Sequence, residues 1–548
     1  MMRKTIFACL MMLCSSIGFA QHTSNNFNVA SQIDVLGAIC KELNLYYVDS
    51  LDAKKTVRVG IDAMLRQLDP YTVYYSQEDM GDLKMMTTGK YAGIGSMIRQ
   101  YGKDKVIIAE PYEGSPSAKV GLKVGDVLID IDGKDLKGKT TSEVSDLLRG
   151  DPQTSFVLTV QRPGVEEPLT FKITRETITT PPVPYYGMLS DKVGYIDFTQ
   201  FTDNCSAIVR RALIELRQQG ATSLVLDLRD NGGGLLSEAQ EIVNLFVPKG
   251  KTVAKLLGKS KSAANEYVTK KEPLDLEMPI VVLVNGNTAS SSEILSGALQ
   301  DMDRAVIMGS RTYGKGLVQT ARDLPYNGSI KLTTAKYYLP SGRCVQAIDY
   351  SHRNEAGRVE RIADSLTHVF YTEAGREMRD GGGIRPDIEV KEDTVANITA
   401  YLAADDVLID YGTQYCQQHP VPASVADFQI TDDDFNEFCE AIKKSDFKYD
   451  KQTETLLKRL KDIAEFEGYL KDASAEFEAL EKKLNHNIDF DLQQNKDDIK
   501  LLMASEIVKR MFFQSGTVQE SLKRDKLAKQ AVELLSDEAR YKEILKKQ

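Results

Sequence analysis

Two stretches of this sequence hold residues that could do chemistry together. The first, Val284-Asn-Gly-Asn-Thr-Ala-Ser290-Ser291-Ser292-Glu293-Ile294-Leu295, runs from an apolar strand through a small-residue turn into a helix. A hydroxyl at the first turn of a helix sits in the field of unpaired backbone N–H groups, which favours negative charge developing on nearby oxygen. Serines ahead of a Glu-containing helix start also serve as N-caps, so the stretch has a structural reading as well. The second, Gly309-Ser-Arg-Thr-Tyr-Gly314-Lys315-Gly316-Leu-Val-Gln319, flanks a lysine with glycines that let the chain turn sharply and approach closely. A lysine withdrawn from water loses much of its preference for the charged form and can accept a proton from a serine hydroxyl. Together the stretches offer a serine, a lysine and a glutamine four residues beyond it.

Other chemistries lack their residues. There is no Gly-x-Ser-x-Gly elbow and no His-Glu-x-x-His, and the stretch around Lys315 lacks the Gly-x-x-x-x-Gly-Lys-Ser/Thr order of a phosphate loop. The five histidines, His22, His352, His368, His419 and His486, stand in stretches without active-site character. The remaining alternative is a catalytically inert scaffold that binds peptides, against which intact Ser290, Lys315 and Gln319 argue.

The elements that must position these residues follow from periodicity. Between about Val193 and Val390 short apolar strands alternate with helical spacing, which predicts an α/β core. Its strands are expected at Gly194–Phe198, Ser223–Leu228 and Pro279–Val284, and its helices at Asn204–Gln219 and Ser237–Phe246. Upstream, a compact β-rich module carries strands at Lys105–Ala109, Gly125–Gly133 and Ser155–Gln161, and a helix over Thr141–Leu148 opened by Ser142. The cluster Pro181-Pro-Val-Pro184 links module to core. Helical spacing also marks 31–84, interrupted by an Asp69-Pro-Tyr71 turn, and a charged tail beyond about 396, expected to form solvated helices that pack on the core or on a partner chain.

With 548 residues the chain needs two or three domains plus helical appendages. A net charge of −10 without a basic stretch gives no surface for nucleic acid. Arg3 and Lys4, the apolar run Ile6 to Cys14, and small residues at Gly18 and Ala20 form a secretory leader with cleavage expected before Gln21. The rest of the chain holds no further membrane-spanning candidate, and a bacterial periplasm is the expected location. Its five cysteines, Cys40, Cys205, Cys344, Cys416 and Cys439, are too sparse and odd in number for a disulfide framework and lack metal spacing.

The two chemical stretches resemble those of the C-terminal processing peptidases, or tail-specific proteases. That family carries Asn-x-x-Ser/Thr-Ala-Ser-x-Ser-Glu, then Gly-Lys-Gly-x-x-Gln, with serine and lysine twenty-five residues apart, the separation of Ser290 and Lys315. The resemblance implies Ser290 as nucleophile over its neighbours Ser291 and Ser292, Lys315 as base, and Gln319 as the residue that orients the lysine. Leu226-Asp-Leu-Arg-Asp-Asn-Gly-Gly-Gly234 resembles the family turn Asp-Leu-Arg-x-Asn-Pro-Gly-Gly, with Gly232 in the proline position. It implies backbone amides of Gly233 and Ser291 as oxyanion donors. Tyr337-Tyr-Leu-Pro-Ser-Gly-Arg343 and Gly383-Ile-Arg-Pro-Asp387 resemble later family segments, with an insertion near 348–382 between them.

The β-rich module resembles a PDZ domain through Tyr91-Ala-Gly93-Ile94-Gly95, Gly114-Ser-Pro-Ser-Ala118 and Gly121-Leu-Lys-Val-Gly-Asp126. Amides around Gly93, Ile94 and Gly95 would then hold a free C-terminal carboxylate. The implied architecture is multidomain α/β: leader 1–20, helical region 21–84, PDZ domain 85–178, ClpP/crotonase-like peptidase core 179–395 and helical region 396–548. It calls for no cofactor or metal. Its partners would be protein or peptide substrates with a free C-terminus, and a homo-oligomer or an adaptor stays open.

Overall fold

A computed structural model describes residues 27–391, 395–484 and 487–546. The leader expected over 1–20 lies outside the described residues. The chain forms two compact units, one holding the residues up to Glu78 with Gln319–Thr333, the other Asp79–Val318 with Thr334 onward.

In the first unit a helix spans 27–46, and another, Ala53–Arg66, starts where Asp52 accepts the Lys55 N–H. Asp69 Oδ1 then accepts the Tyr71 and Thr72 N–H groups at 2.8 and 2.7 Å. This Asx turn does more than interrupt the expected helical run, because it starts a strand, Val73–Tyr75, paired antiparallel with Ser329–Lys331.

In the second unit the β-rich module is built from β1 (Ser96–Tyr101), β2 (Lys105–Pro111), β3 (Val127–Ile131), α1 (Thr141–Leu148), β4 (Ser155–Gln161) and β5 (Leu169–Thr174). The strands pair antiparallel in the order β1-β2-β3-β4-β5, leaving β1 at an edge. Alternate residues of β4, Phe156, Leu158 and Val160, point into a core that also takes Val144 and Leu148 of α1. The cap of α1 is Thr140, two residues earlier than the expected Ser142. Its reciprocal bonds with Glu143 close a capping box.

The α/β core is a six-stranded sheet of β6 (Tyr185–Met188), β7 (Val193–Asp197), β8 (Ser223–Asp227), β9 (Ile280–Val284), β10 (Val306–Gly309) and β11 (Ile388–Glu389). Spatial order follows chain order, and every pairing from β7 to β11 is parallel. Parallel crossovers are right-handed, so stepping always in one direction puts all the crossover helices on one face. There α2 (Cys205–Gln218), α3 (Leu236–Val243) and α4 (Ser291–Asp301) cover Leu224, Leu226, Ile280, Val282 and Val284.

A parallel sheet must also cover its other face. Val193, Tyr195, Val225, Val281, Leu283, Val306 and Met308 point that way, and residues far along the chain meet them: Ala531, Leu534 and Tyr541. These belong to α9 (Lys526–Ser536) and α10 (Glu538–Ile544), numbered after the preceding helices α5 (Asn397–Ala404), α6 (Asp406–Gln418), α7 (Asp432–Lys444) and α8 (Lys496–Leu522). Tyr541 Oη also donates to Ile280 O at 3.0 Å and accepts its N–H at 2.9 Å. Of the two expectations for the tail, packing on the core or on a partner chain, α9 and α10 take the first and cover the second face of the sheet. Helices α5 to α8 bury a core of their own around Leu402, Tyr411, Phe435, Phe438, Ile499 and Met503.

The same helices hold the β-rich module. Arg99 of β1 pairs with Asp406 at 2.7 Å, Tyr101 Oη donates to Asp410 at 2.9 Å, and Gln417 Nε2 donates to Pro163 O at 2.8 Å. The five described cysteines are free thiols, and no described helix is long and apolar enough to cross a membrane.

Candidate active site

Three turns leave the carboxyl ends of β8, β9 and β10, and they carry the residues singled out in the sequence. The turn after β9 delivers Ser290 at φ 59° and ψ −117°, a backbone conformation that L-residues avoid at a cost of about 1–3 kcal/mol. Such a sharp strand-to-helix turn lifts a serine away from the sheet and seats the next amide, Ser291 N–H, at the head of α4. Among the described residues that amide has no protein acceptor. Ser291 Oγ is spent on Gly234 O at 2.8 Å, and Ser292 Oγ on Asn231 O at 2.9 Å. Both neighbours of Ser290 are thus engaged in holding the β8 turn.

That turn is stitched to the serine. Asp230 N–H donates to Asn285 Oδ1 (3.0 Å), Asp230 Oδ1 accepts from Asn287 Nδ2 (2.8 Å), and Ala289 N–H donates to Asn231 O (3.0 Å). Gly233 has φ +94°, and a Cβ there would lie 2.7 Å from Ala289 O and 2.8 Å from Ser290 Cβ, so only glycine fits. Its N–H donates to Asn231 Oδ1 at 2.9 Å. Of the two amides assigned by resemblance to an oxyanion hole, Ser291 N–H is open and Gly233 N–H is occupied within its own turn.

The turn after β10 brings Lys315, half-buried, between Gly314 and Gly316. At Gly314 (φ +88°) a Cβ would fall 2.3 Å from Ala347 Cβ. What joins this turn to Ser290 is Glu293. Its Oε2 accepts both Ser290 N–H (2.9 Å) and Lys315 N–H (2.8 Å), and its Oε1 accepts Gly314 N–H (2.8 Å) and Thr312 Oγ1–H (2.6 Å). Glu293 is fully buried. Burial pushes its carboxyl above the usual range while the four donors pull it back, and every contact uses it as an acceptor. Tyr337 closes the site from below, its N–H on Gly316 O (3.0 Å) and its Oη donating to Ser290 O (3.3 Å).

Ser290, Ser291, Gly233 and Lys315 are therefore brought into one constellation. Gln319 is described with the first unit, where its Nε2 donates to Thr333 Oγ1 at 3.1 Å. Sequence reasoning placed Glu293 at a helix start but missed its bridge to 312–315, and it missed Asn231 and Asn285 as ties of the turn. The signal available was a charged residue inside an otherwise small and apolar segment.

In the β-rich module, Gly93, Ile94 and Gly95 lead into edge strand β1, and α1 lies against that strand. Ile94 O accepts Ser117 N–H (2.9 Å), and Gly95 O accepts Tyr112 N–H (2.8 Å) and Ser117 Oγ–H (2.8 Å). Among the described residues the Ile94 and Gly95 amides have no acceptor, so the polar groups this loop still has to offer are donors.

A strained serine at the head of a helix, tied to a glycine-flanked lysine and joined to a module with an edge strand, is an arrangement suited to a serine peptidase. The match to family models agrees: "Peptidase family S41" over residues 192–351, "PDZ domain" over 107–162, and "Probable PDZ-protease, C-terminal helical domain" over 398–535. The chain belongs to the S41 serine peptidases, among the carboxy-terminal-processing proteases. It is 36% identical over 356 residues to the "Carboxy-terminal-processing protease" of Bartonella bacilliformis, covering 64% of this chain and 81% of that one. It is 35% identical to a "Probable CtpA-like serine protease" of Staphylococcus aureus (strain COL), covering 58% of this chain and 63% of that one. A solved "Photosystem II D1 C-terminal processing protease" aligns at 29% identity and a TM-score of 0.35, over 64% of this chain and 86% of that one.

Proposed function

We propose that this protein is an exported endopeptidase that holds the free C-terminal end of a protein substrate in its PDZ domain and cuts with Ser290 and Lys315. The observation that carries the chemistry is Glu293 Oε2, which accepts the backbone N–H of both residues at 2.9 and 2.8 Å and so fixes them against each other. Lys315 Nζ, uncharged, takes the proton of Ser290 Oγ as that oxygen attacks the scissile carbonyl carbon. Ser291 N–H stabilises the oxyanion, and Gly233 N–H joins it on leaving Asn231 Oδ1. Collapse breaks the C–N bond, Lys315 returns the proton to the leaving amine, and water then hydrolyses the acyl ester by the same route. Gln319 orients the lysine. Boundaries at 84, 178 and 395 divide the working parts of this reading.

Recognition rests on donors at Ile94 and Gly95 and on the edge of β1, which can pair with an extended peptide while its carboxylate meets the amides. Amidating the C-terminus of a peptide substrate removes the charge those amides would hold, and kcat/KM is expected to fall about tenfold or more. Equal rates for acid and amide would remove the PDZ domain from substrate selection. The leader places this activity in the periplasm, and N-terminal sequencing of the isolated protein should begin at or near Gln21; a sequence beginning at Met1 contradicts export.

A further inference from the structure

The second face of the sheet is covered by α9, and the residue that starts α9 reaches the active-site side of the molecule. Asp525 is its N-cap: Oδ1 accepts Ala528 N–H at 2.9 Å. The other oxygen, Oδ2, accepts Arg229 Nη2 at 2.6 Å. Arg229 also holds Asp227, with Nε at 2.9 Å from its Oδ1, and Asp227 Oδ2 accepts Tyr195 Oη at 2.9 Å. All three charges are largely withdrawn from water, with side-chain exposures of 26% for Arg229, 5% for Asp227 and 12% for Asp525.

Capping alone does not call for this charge, because Asn or Ser satisfies the helix amide as well as Asp does. Nor does neutralising Arg229, since Asp227 already balances it. A third, negative member in a desolvated set costs energy unless its placement is used. What it adds is a second carboxylate on Nη2, the nitrogen that also donates to Asp227 Oδ2, and so a tie from a distant helix to the guanidinium whose own backbone leads into residues 230–234. That turn passes through φ +59° at Asp230 and +94° at Gly233, and it packs on Ser290. We propose that Asp525, from the C-terminal helical region, is a positioning residue of the peptidase, holding Arg229 and through it the turn that faces Ser290. The C-terminal region is then part of the catalytic unit and not an appendage to it. This inference rests on the reading of Ser290 as nucleophile.

The test is a double-mutant cycle in the full chain, with kcat and KM for a free-acid peptide and Tm measured for each variant. Asp525→Asn keeps the cap and loses the charge, so Tm should hold within about 2 °C and KM should be unchanged, while kcat falls about tenfold. Arg229→Gln should lose at least as much, and the double variant no more than Arg229→Gln alone. Asp525→Ser, a second capping variant, should repeat the result. A kcat within twofold of the unaltered protein, or losses that multiply in the double variant, would overturn the proposal. So would losses that track a falling Tm in both the Asn and Ser variants, which keep the cap and would then mark a structural ion pair and nothing more. Ser290→Ala is the separate control: if it abolishes turnover and Asp525→Asn does not lower it, only this inference falls. If the unaltered protein cleaves no peptide, the reading of Ser290 falls and takes this one with it.

Discussion

Ser290→Ala and Lys315→Ala should each lower kcat for peptide hydrolysis by about 10⁴-fold or more, with the fold intact by circular dichroism and Tm. In the proposed mechanism Ser290 supplies the oxygen of the acyl intermediate, and its backbone geometry, φ 59° and ψ −117°, sets it apart from its two serine neighbours. Ser291 and Ser292 cannot substitute, because their hydroxyls are bound to Gly234 O and Asn231 O. Lys315 must shed its proton to act as base, so Lys315→Arg should fail as completely as alanine: a guanidinium stays protonated. Gln319→Ala should cost far less, roughly tenfold, since it exchanges no proton. Serine and lysine act as one unit, and the double variant should be about as inactive as either single.

Glu293→Gln should lower kcat by about 100-fold and reduce stability by about 2–6 kcal/mol, measured by peptide turnover and urea unfolding. All four partners of the Glu293 carboxylate are donors. An amide has one acceptor oxygen, so its NH₂ must face either the Thr312 and Gly314 donors or the Ser290 and Lys315 amides. Two buried donors then lose their acceptor, at about 1–3 kcal/mol each. In one orientation the Ser290 and Lys315 turns come apart directly, and in the other the support behind Lys315 does. Near-normal turnover in a folded Glu293→Gln protein would show that the bridge is not what sets the site.

Much of this site is legible in the sequence, because its signals are local. The apolar run Ile280–Val284 announces a strand buried on both faces, and serine, lysine and their glycines lie within short segments. What is not legible there is what depends on distant chain. The pattern of α9 declares an apolar face with Ala531 and Leu534, but spacing does not say that this face covers Val281 and Leu283. Glu293 satisfies a capping rule through Ser290 alone, so nothing local points to its second function at 312–315. The Gly233 amide turns to the Asn231 side chain two residues before it, in a turn that also takes Asp230 to a positive φ, and the strand and glycine pattern does not specify that bond. Thr140 in place of Ser142 as the α1 cap is a smaller case: three consecutive hydroxyl residues, Thr140, Thr141 and Ser142, compete, and Glu143, three positions beyond Thr140, selects the first.

Whether Ser290 and Lys315 form the working pair is tested most directly by the covalent intermediate. A peptide ester that acylates faster than it deacylates, quenched in acid and mapped by mass spectrometry, should leave its acyl group on Ser290 alone, with no adduct accumulating in Lys315→Arg. An acyl group on Ser291, Ser292 or a histidine, or acylation of folded Lys315→Arg at the rate of the unaltered protein, would contradict it.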